Sequence, residues 1–142
     1  MKLEPIISRL KGVSAIKLLG GALEFAALDA APRARPAAYV VPEDKTPTGN
    51  RFEGSVGAID QKVVVSFRVV LVLDAAARKG AVGISDELDT LARAVVAELL
   101  GWTPPDCKGP ILYAGERLMS VDGTALVWGL SFKTHYHLRK VG

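Results

Sequence analysis

The chain has 142 residues, of which 49% are hydrophobic, 23% charged and 6% aromatic, the size and make-up of one soluble domain, with no room for a second. A chain of this length buries about 68% of its unfolded surface, so its core needs neither disulfides nor metal, and the single cysteine, Cys107, fits a reducing compartment. Eighteen Lys and Arg against fifteen Asp and Glu leave a formal charge of +3, too small to mark a nucleic-acid binder. Residues 123–142 carry three basic and no acidic side chains, which makes the C-terminal segment the basic part of the chain. No apolar run reaches the roughly 18 residues of a membrane helix; the longest, Val63 to Leu73, is cut by Ser66 and Arg68. The N-terminal residues lack the apolar core of a secretion signal, so a cytoplasmic setting is expected.

In chain order, Leu3, Ile6, Ile7 and Leu10 fall at helical spacing, with Pro5 near the start and Gly12 past the end, which predicts a short amphipathic helix. Residues 15–19 read as a strand or an extended link, Gly20-Gly21 interrupts them, and the alanine-rich run 22–28 has helical character. Ala37 to Val41 reads as a strand closed by Pro42. The next sixteen residues, PEDKTPTGNRFEGSVG, hold two prolines and three glycines, and read as a binding loop or flexible arm over 44–57, with a solvated hairpin tip as the plainer alternative.

The clearest element runs from Ala58 to Asp74. Ile59, Val63, Val65, Phe67, Val69, Leu71 and Leu73 share one face of a period-two pattern. The other face starts polar, with Asp60, Lys62, Ser66 and Arg68, and turns apolar at Val70 and Val72. One end is therefore expected to be covered on both sides while the other meets water or a partner. After an Ala/Gly-rich turn, Ser85 with Asp86, Glu87 and Asp89 reads as a helix start, and Ile84, Leu88, Leu91, Val95 and Leu99 form the buried stripe up to Gly101. Strands 111–113 and 116–121 follow, then Asp122-Gly123 as a two-residue hairpin turn, then a long strand over 124–138. Its Leu126, Trp128, Leu130 and Phe132 match the apolar face of the 58–74 strand, and the two long strands are expected to pair antiparallel.

Chemistry is sparse. His135 and His137 are two apart on one strand, with no nucleophile in a recognisable pattern beside them, and neither a nucleophile elbow nor a phosphate-binding loop occurs. The two imidazoles point the same way, yet a third and fourth metal ligand are missing from their neighbourhood, so a solvated strand face is the expectation. Lys62, Arg68, Lys133 and Arg139 can gather on the polar sheet face as a weak phosphate-binding patch or as ordinary solubilising charges.

The segments EPIISRLKG, AIKLLGGALEFAAL, AAYVVPED with a following polar loop that holds Asn50, QKVVVSFRVVLVLDA, ISDELDTLARAVVAELLGWTPP, ILYAGERLMSV, DGTALVWGLSF and THYHLRK span nearly the whole chain. In this order and spacing they resemble the tail terminator proteins of tailed bacteriophages and prophages. The resemblance implies an α+β fold: one domain over 1–142, an antiparallel sheet with two to three helices packed on one face, a long strand pair and the flexible arm. It implies a structural virion protein with no catalytic residues, metal or cofactor, which forms a ring, normally of six subunits, on the head-proximal end of the tail tube. Such a ring stops tube polymerisation and offers the head-joining surface. The implied partners are further copies of the chain, the tail tube protein, a head-completion or connector protein and, transiently, DNA in the lumen. The implied location is the host cytoplasm during assembly and then the virion tail. Lys45, Asn50, Arg51, Phe52 and Glu53 of the arm are the candidate ring-interface residues, and Lys62, Arg68 and Lys133 the candidate lumen-facing ones. The rival readings are a tail-completion or head-to-tail joining protein and a small basic nucleic-acid-binding module.

Overall fold

The computed structural model describes residues 1–28, 32, 34–52, 57–75 and 80–141. Three helices and five strands follow one another as α1 (Glu4–Leu10), β1 (Leu18–Gly21), α2 (Ala22–Ala26), β2 (Ala37–Asn50), β3 (Ile59–Asp74), α3 (Gly80–Leu99), β4 (Leu112–Asp122) and β5 (Ala125–Lys140). The strands form one sheet in the order β1-β2-β3-β5-β4. The fold is therefore α+β, and its axis is the pair of long strands that the alternation predicts. β3 and β5 run antiparallel from Ile59 opposite Lys140 to Asp74 opposite Ala125, without a break in register.

One face of the sheet carries the main core. Ala38 and Val40 of β2, Phe67, Val69, Leu71 and Leu73 of β3 and Leu130 and Phe132 of β5 pack against Ile6 and Leu10 of α1 and Leu91, Val95 and Leu99 of α3. The rings of Phe67 and Phe132, paired across the strands, stack with centroids 5.5 Å apart. Each such fully buried side chain contributes about 1.5–3 kcal/mol. α1 is tied to α3 by the Arg9 Nε–H, which donates to the Glu98 carbonyl at 2.7 Å, while the Arg9 guanidinium lies over the Trp102 ring at 4.7 Å.

Several details depart from the sequence expectation, each for a physical reason. The sheet is mixed, because β1 pairs parallel with β2, Leu18 opposite Ala37 through Gly21 opposite Val40. The helices do not all share one face: Phe25 of α2 packs on the opposite side, with Tyr39, Val70, Val72 and Ala125. That second small core is what makes β3 apolar on both faces at this end. α3 begins at Gly80, so Ser85 and Asp86 lie within the helix and do not cap it; Gly80 and Gly83 are poor helix formers that hide the true start. β4 is one strand, with register shifts between Tyr113 and Gly115 and between Leu118 and Ser120. Asp122 pairs with Ala125, so the turn residues are Gly123 and Thr124, and Gly123 supplies the positive φ of 59°.

The largest departure concerns the expected arm. β2 does not end at Pro42 but continues to Asn50, paired with β3 from Asp44 opposite Ser66 to Asn50 opposite Gln61. Pro42 and Pro47 sit at the two register shifts of this ladder, where a missing N–H costs no sheet hydrogen bond. β1 pairs only with 37–40, so the rest of β2 is an outer edge and tolerates proline. Polar side chains close the remaining gaps. The Thr48 hydroxyl donates to the Lys62 carbonyl at 3.0 Å, and the Gln61 amide donates to the Thr48 carbonyl at 2.8 Å. The segment 44–50 is thus a paired but exposed strand.

Candidate functional site

Two parts of the molecule lie outside the helix-covered core: the far end of the β2–β3–β5 ribbon and the open face of the sheet. The ribbon end is built around Asn50. Its Oδ1 accepts the Phe52 N–H at 3.1 Å and the Asp60 N–H at 2.9 Å, and its Nδ2 donates to the Ala58 carbonyl at 3.2 Å. With the Arg51 N–H donating to the Asp60 carbonyl at 2.8 Å, these bonds bind both sides of the loop between β2 and β3. Asn50 is therefore a closing residue of the hairpin, and it holds Arg51 and Phe52 outward. Phe52 is 40% exposed, and the Arg51 guanidinium lies 5.4 Å from its ring centroid.

Beneath this loop sits a buried carboxylate on the strand face expected to meet water or a partner. Asp60 is only 3% exposed and lies among three cationic or protonatable side chains. His137 Nδ1 is 2.7 Å from its Oδ1, Arg139 Nε is 3.4 Å from the same oxygen, and Arg51 Nη1 is 3.5 Å from Oδ2. The hydrogen bond from His137 holds the carboxyl below its ordinary value of 3.8; burial opposes this, and Arg139 reinforces it. An ionised carboxylate only accepts, so the His137 Nδ1 carries the proton. The cluster joins the hairpin loop, β3 and the end of β5. The signal for it was present in the sequence as Asp60, His137 and Arg139 at alternating positions of two strands, but it becomes legible only once their register is fixed: Asp60 faces Arg139, and His137 is two pairs along on the same face, opposite Lys62.

His135 differs from its neighbour. Its ring lies against Gly109, and burial, with Lys62 and His137 nearby, pushes its pKa below the ordinary 6.5. The two imidazoles meet edge to face at 5.7 Å, and among the described residues no group of three His, Cys, Asp or Glu side chains could hold a metal.

The open face carries the candidate lumen residues, spread along it. Lys62 stands opposite His137, Lys133 opposite Ser66, and Arg68 opposite Ser131. Lys62 and Lys133 are exposed. Arg68 is half-buried: its Nη2 pairs with Glu43 at 3.2 Å, and its Nε has no hydrogen-bond partner among the described residues. Its stem crosses Gly129, where a Cβ would come within 2.8 Å of the Arg68 Cδ, so glycine is required there for the arginine to lie flat. Glu43, Arg68, Gly115, Arg117 and Ser131 line a polar depression of about 350 Å³. Arg117, exposed and opposite Gly129, joins this face, although sequence reasoning did not single it out. Of the five arm candidates, Asn50, Arg51 and Phe52 meet at the ribbon end. Lys45 stands back on the exposed strand opposite Val65, and Glu53 lies outside the described residues.

A family model for phage tail terminator proteins matches residues 1–141. The chain belongs to the phage tail terminator family. It is a structural component of a phage-type tail. No curated protein sequence matches this chain. Among solved structures, a chain from the virion of a native gene transfer agent particle is similar, with a TM-score of 0.61 at 16% identity, covering 94% of this chain and 92% of that one. At that identity the likeness concerns the fold.

Proposed function

We propose that this protein forms a closed ring, normally of six subunits, on the head-proximal end of a tail tube, stops tube growth there and offers the surface to which the head is joined. The observation that carries the reading is the family match over residues 1–141. The fold supports it: the ribbon end presents Arg51 and Phe52 on a braced hairpin, and β4 is a long outer strand that leaves Leu112, Tyr113, Leu118 and Val121 exposed. An unpaired edge with apolar side chains is a template for association. A contact between unlike surfaces that closes on itself ends growth after one layer. No catalytic group is needed for this task, which is done by shape. The tail tube protein and a head-completion or connector protein are the outside partners. Lys62, Arg68, Lys133 and Arg117 on the open face supply the weak, sequence-independent phosphate contact suited to a lumen through which DNA passes.

The test is negative-stain imaging of the purified protein mixed with its tail tubes. Density seated at one tube end, with the tubes no longer elongating when more tube protein is added, is the expected result. Tubes that keep growing at both ends in the presence of saturating protein would overturn the reading.

A further inference from the structure

The described residues of the ribbon end and of the α3–β4 groove expose apolar side chains in surroundings of opposite charge. On the core side of the sheet, at its outer edge, a groove of about 650 Å³ runs between α3 and β4, floored by Ala92, Val96, Leu100 and Tyr113. Leu100 is 51% and Tyr113 43% exposed, so the groove is open. Asp89 and Glu116 line its sides with, among the described residues, a single cation, Arg93, which is bonded to Asp89 at 2.9 Å. Glu116 is fixed in place, since its carboxylate accepts the Tyr113 hydroxyl at 2.8 Å and the Trp128 indole N–H at 3.3 Å. The ribbon end has the opposite character. Phe52 and Ile59, 40% and 38% exposed, project beside Arg51, Arg139 and Lys140, and among the described residues the one acid there, Asp60, is already enclosed.

We infer that the ribbon end of one subunit, led by Phe52 and Ile59, seats in the α3–β4 groove of a second copy of this chain. This rests on the ring reading above and names the surfaces that close the ring. The chain cannot satisfy the contact internally. The groove ends near Leu112, which pairs with Lys133, whereas Ile59 pairs with Lys140; seven residues of β5 put the two sites roughly 23 Å apart on one rigid strand. Each subunit therefore offers one knob and one groove, a head-to-tail contact. Aromatic and aliphatic anchors in an apolar groove supply affinity, and the basic and acidic surrounds set register and exclude the inverted arrangement.

The experiment is disulfide trapping between variants that each add one surface cysteine to the buried Cys107. Phe52→Cys and Leu100→Cys proteins are made separately, mixed with tail tubes, oxidised mildly and run on a non-reducing gel. Ile59→Cys with Tyr113→Cys is the second pair, Phe52→Cys with Leu18→Cys the control, and wild type, with Cys107 buried, the blank. Folding of each variant is checked by circular dichroism. The inference expects a cross-linked dimer from both test pairs, on the order of tenfold above the control, and a ladder when both substitutions share one chain. If wild-type caps are seen on tubes but neither test pair cross-links above the control, these surfaces do not meet and the inference falls while the terminator reading stands. If wild type caps no tube, the terminator reading falls and takes the inference with it.

Discussion

The two ends of the same long strands are held together by different physics. Near residues 37–41, 69–73 and 125–130 the sheet is covered on both faces, by α1 and α3 on one side and Phe25 of α2 on the other. Seven or more residues further along, β2, β3 and β5 lose that cover, and the ribbon is fastened by the Asn50 bonds and the Asp60–His137–Arg139–Arg51 cluster. Apolar burial fixes the first end and resists change of almost any kind. Polar fastening fixes the second while leaving Phe52, Ile59 and Leu138 outside, so stability and surface presentation are assigned to opposite ends of one ribbon.

The sharpest way to break that division is at the covered end. Phe132→Ala removes a fully buried ring stacked on Phe67 and is expected to cost about 3–5 kcal/mol, read as a fall in the denaturation midpoint. Asp60→Asn acts at the other end and is expected to leave the midpoint much less affected. It should speed amide hydrogen exchange at 50–52 and 59–62 while residues 67–73 stay protected; equal loss of protection in both regions would show that the ends are not independent.

Acid titration separates His135 from Asp60. His135 has a lowered pKa in the folded state, so the unfolded chain binds more protons and stability falls as pH drops below about 6.5. His135→Asn should flatten that slope in a plot of denaturation midpoint against pH. Asp60 has linkage of the same sign in a more acidic window. Its folded pKa is lowered, so its contribution is complete above the ordinary carboxylate pKa and is lost only as pH falls below about 4; loosening of 50–62 by hydrogen exchange should begin there and not near neutrality. The smallest effect is expected from Lys62→Glu with Lys133→Glu on the exposed open face, within about 0.5 kcal/mol of wild type. If DNA passage and infectivity are also unchanged by that pair, the lumen role of this face is removed.

The strand alternation made β3, β5 and their pairing legible, because one buried face of period two admits one register. The stripe from Leu88 to Leu99 likewise showed α3, although Gly80 and Gly83 concealed its first turns. β2 was legible only to Val41. Its remaining residues have the composition of a loop, and they are a strand because β3 offers a ladder, with Pro42 and Pro47 accommodated at bulges. Nothing local to the sequence encodes that. The side of the sheet taken by α2 was equally hidden, since a five-residue helix with no buried position of its own carries almost no stripe. At the site, Lys45, Asn50, Arg51, Phe52 and Glu53 were named together as residues of a polar segment, while the place of Asp60 required knowing which strands put His137 and Arg139 beside it.

Hydrogen exchange followed by mass spectrometry, on the free protein and on the protein seated on tail tubes, tests the division of labour most directly. The account predicts added protection in the distal ribbon, 44–52, 57–64 and 134–141, and along 89–100 and 112–118, with residues 67–73 unchanged because they are already buried. Seated protein whose distal ribbon exchanges as fast as in the free chain would contradict it.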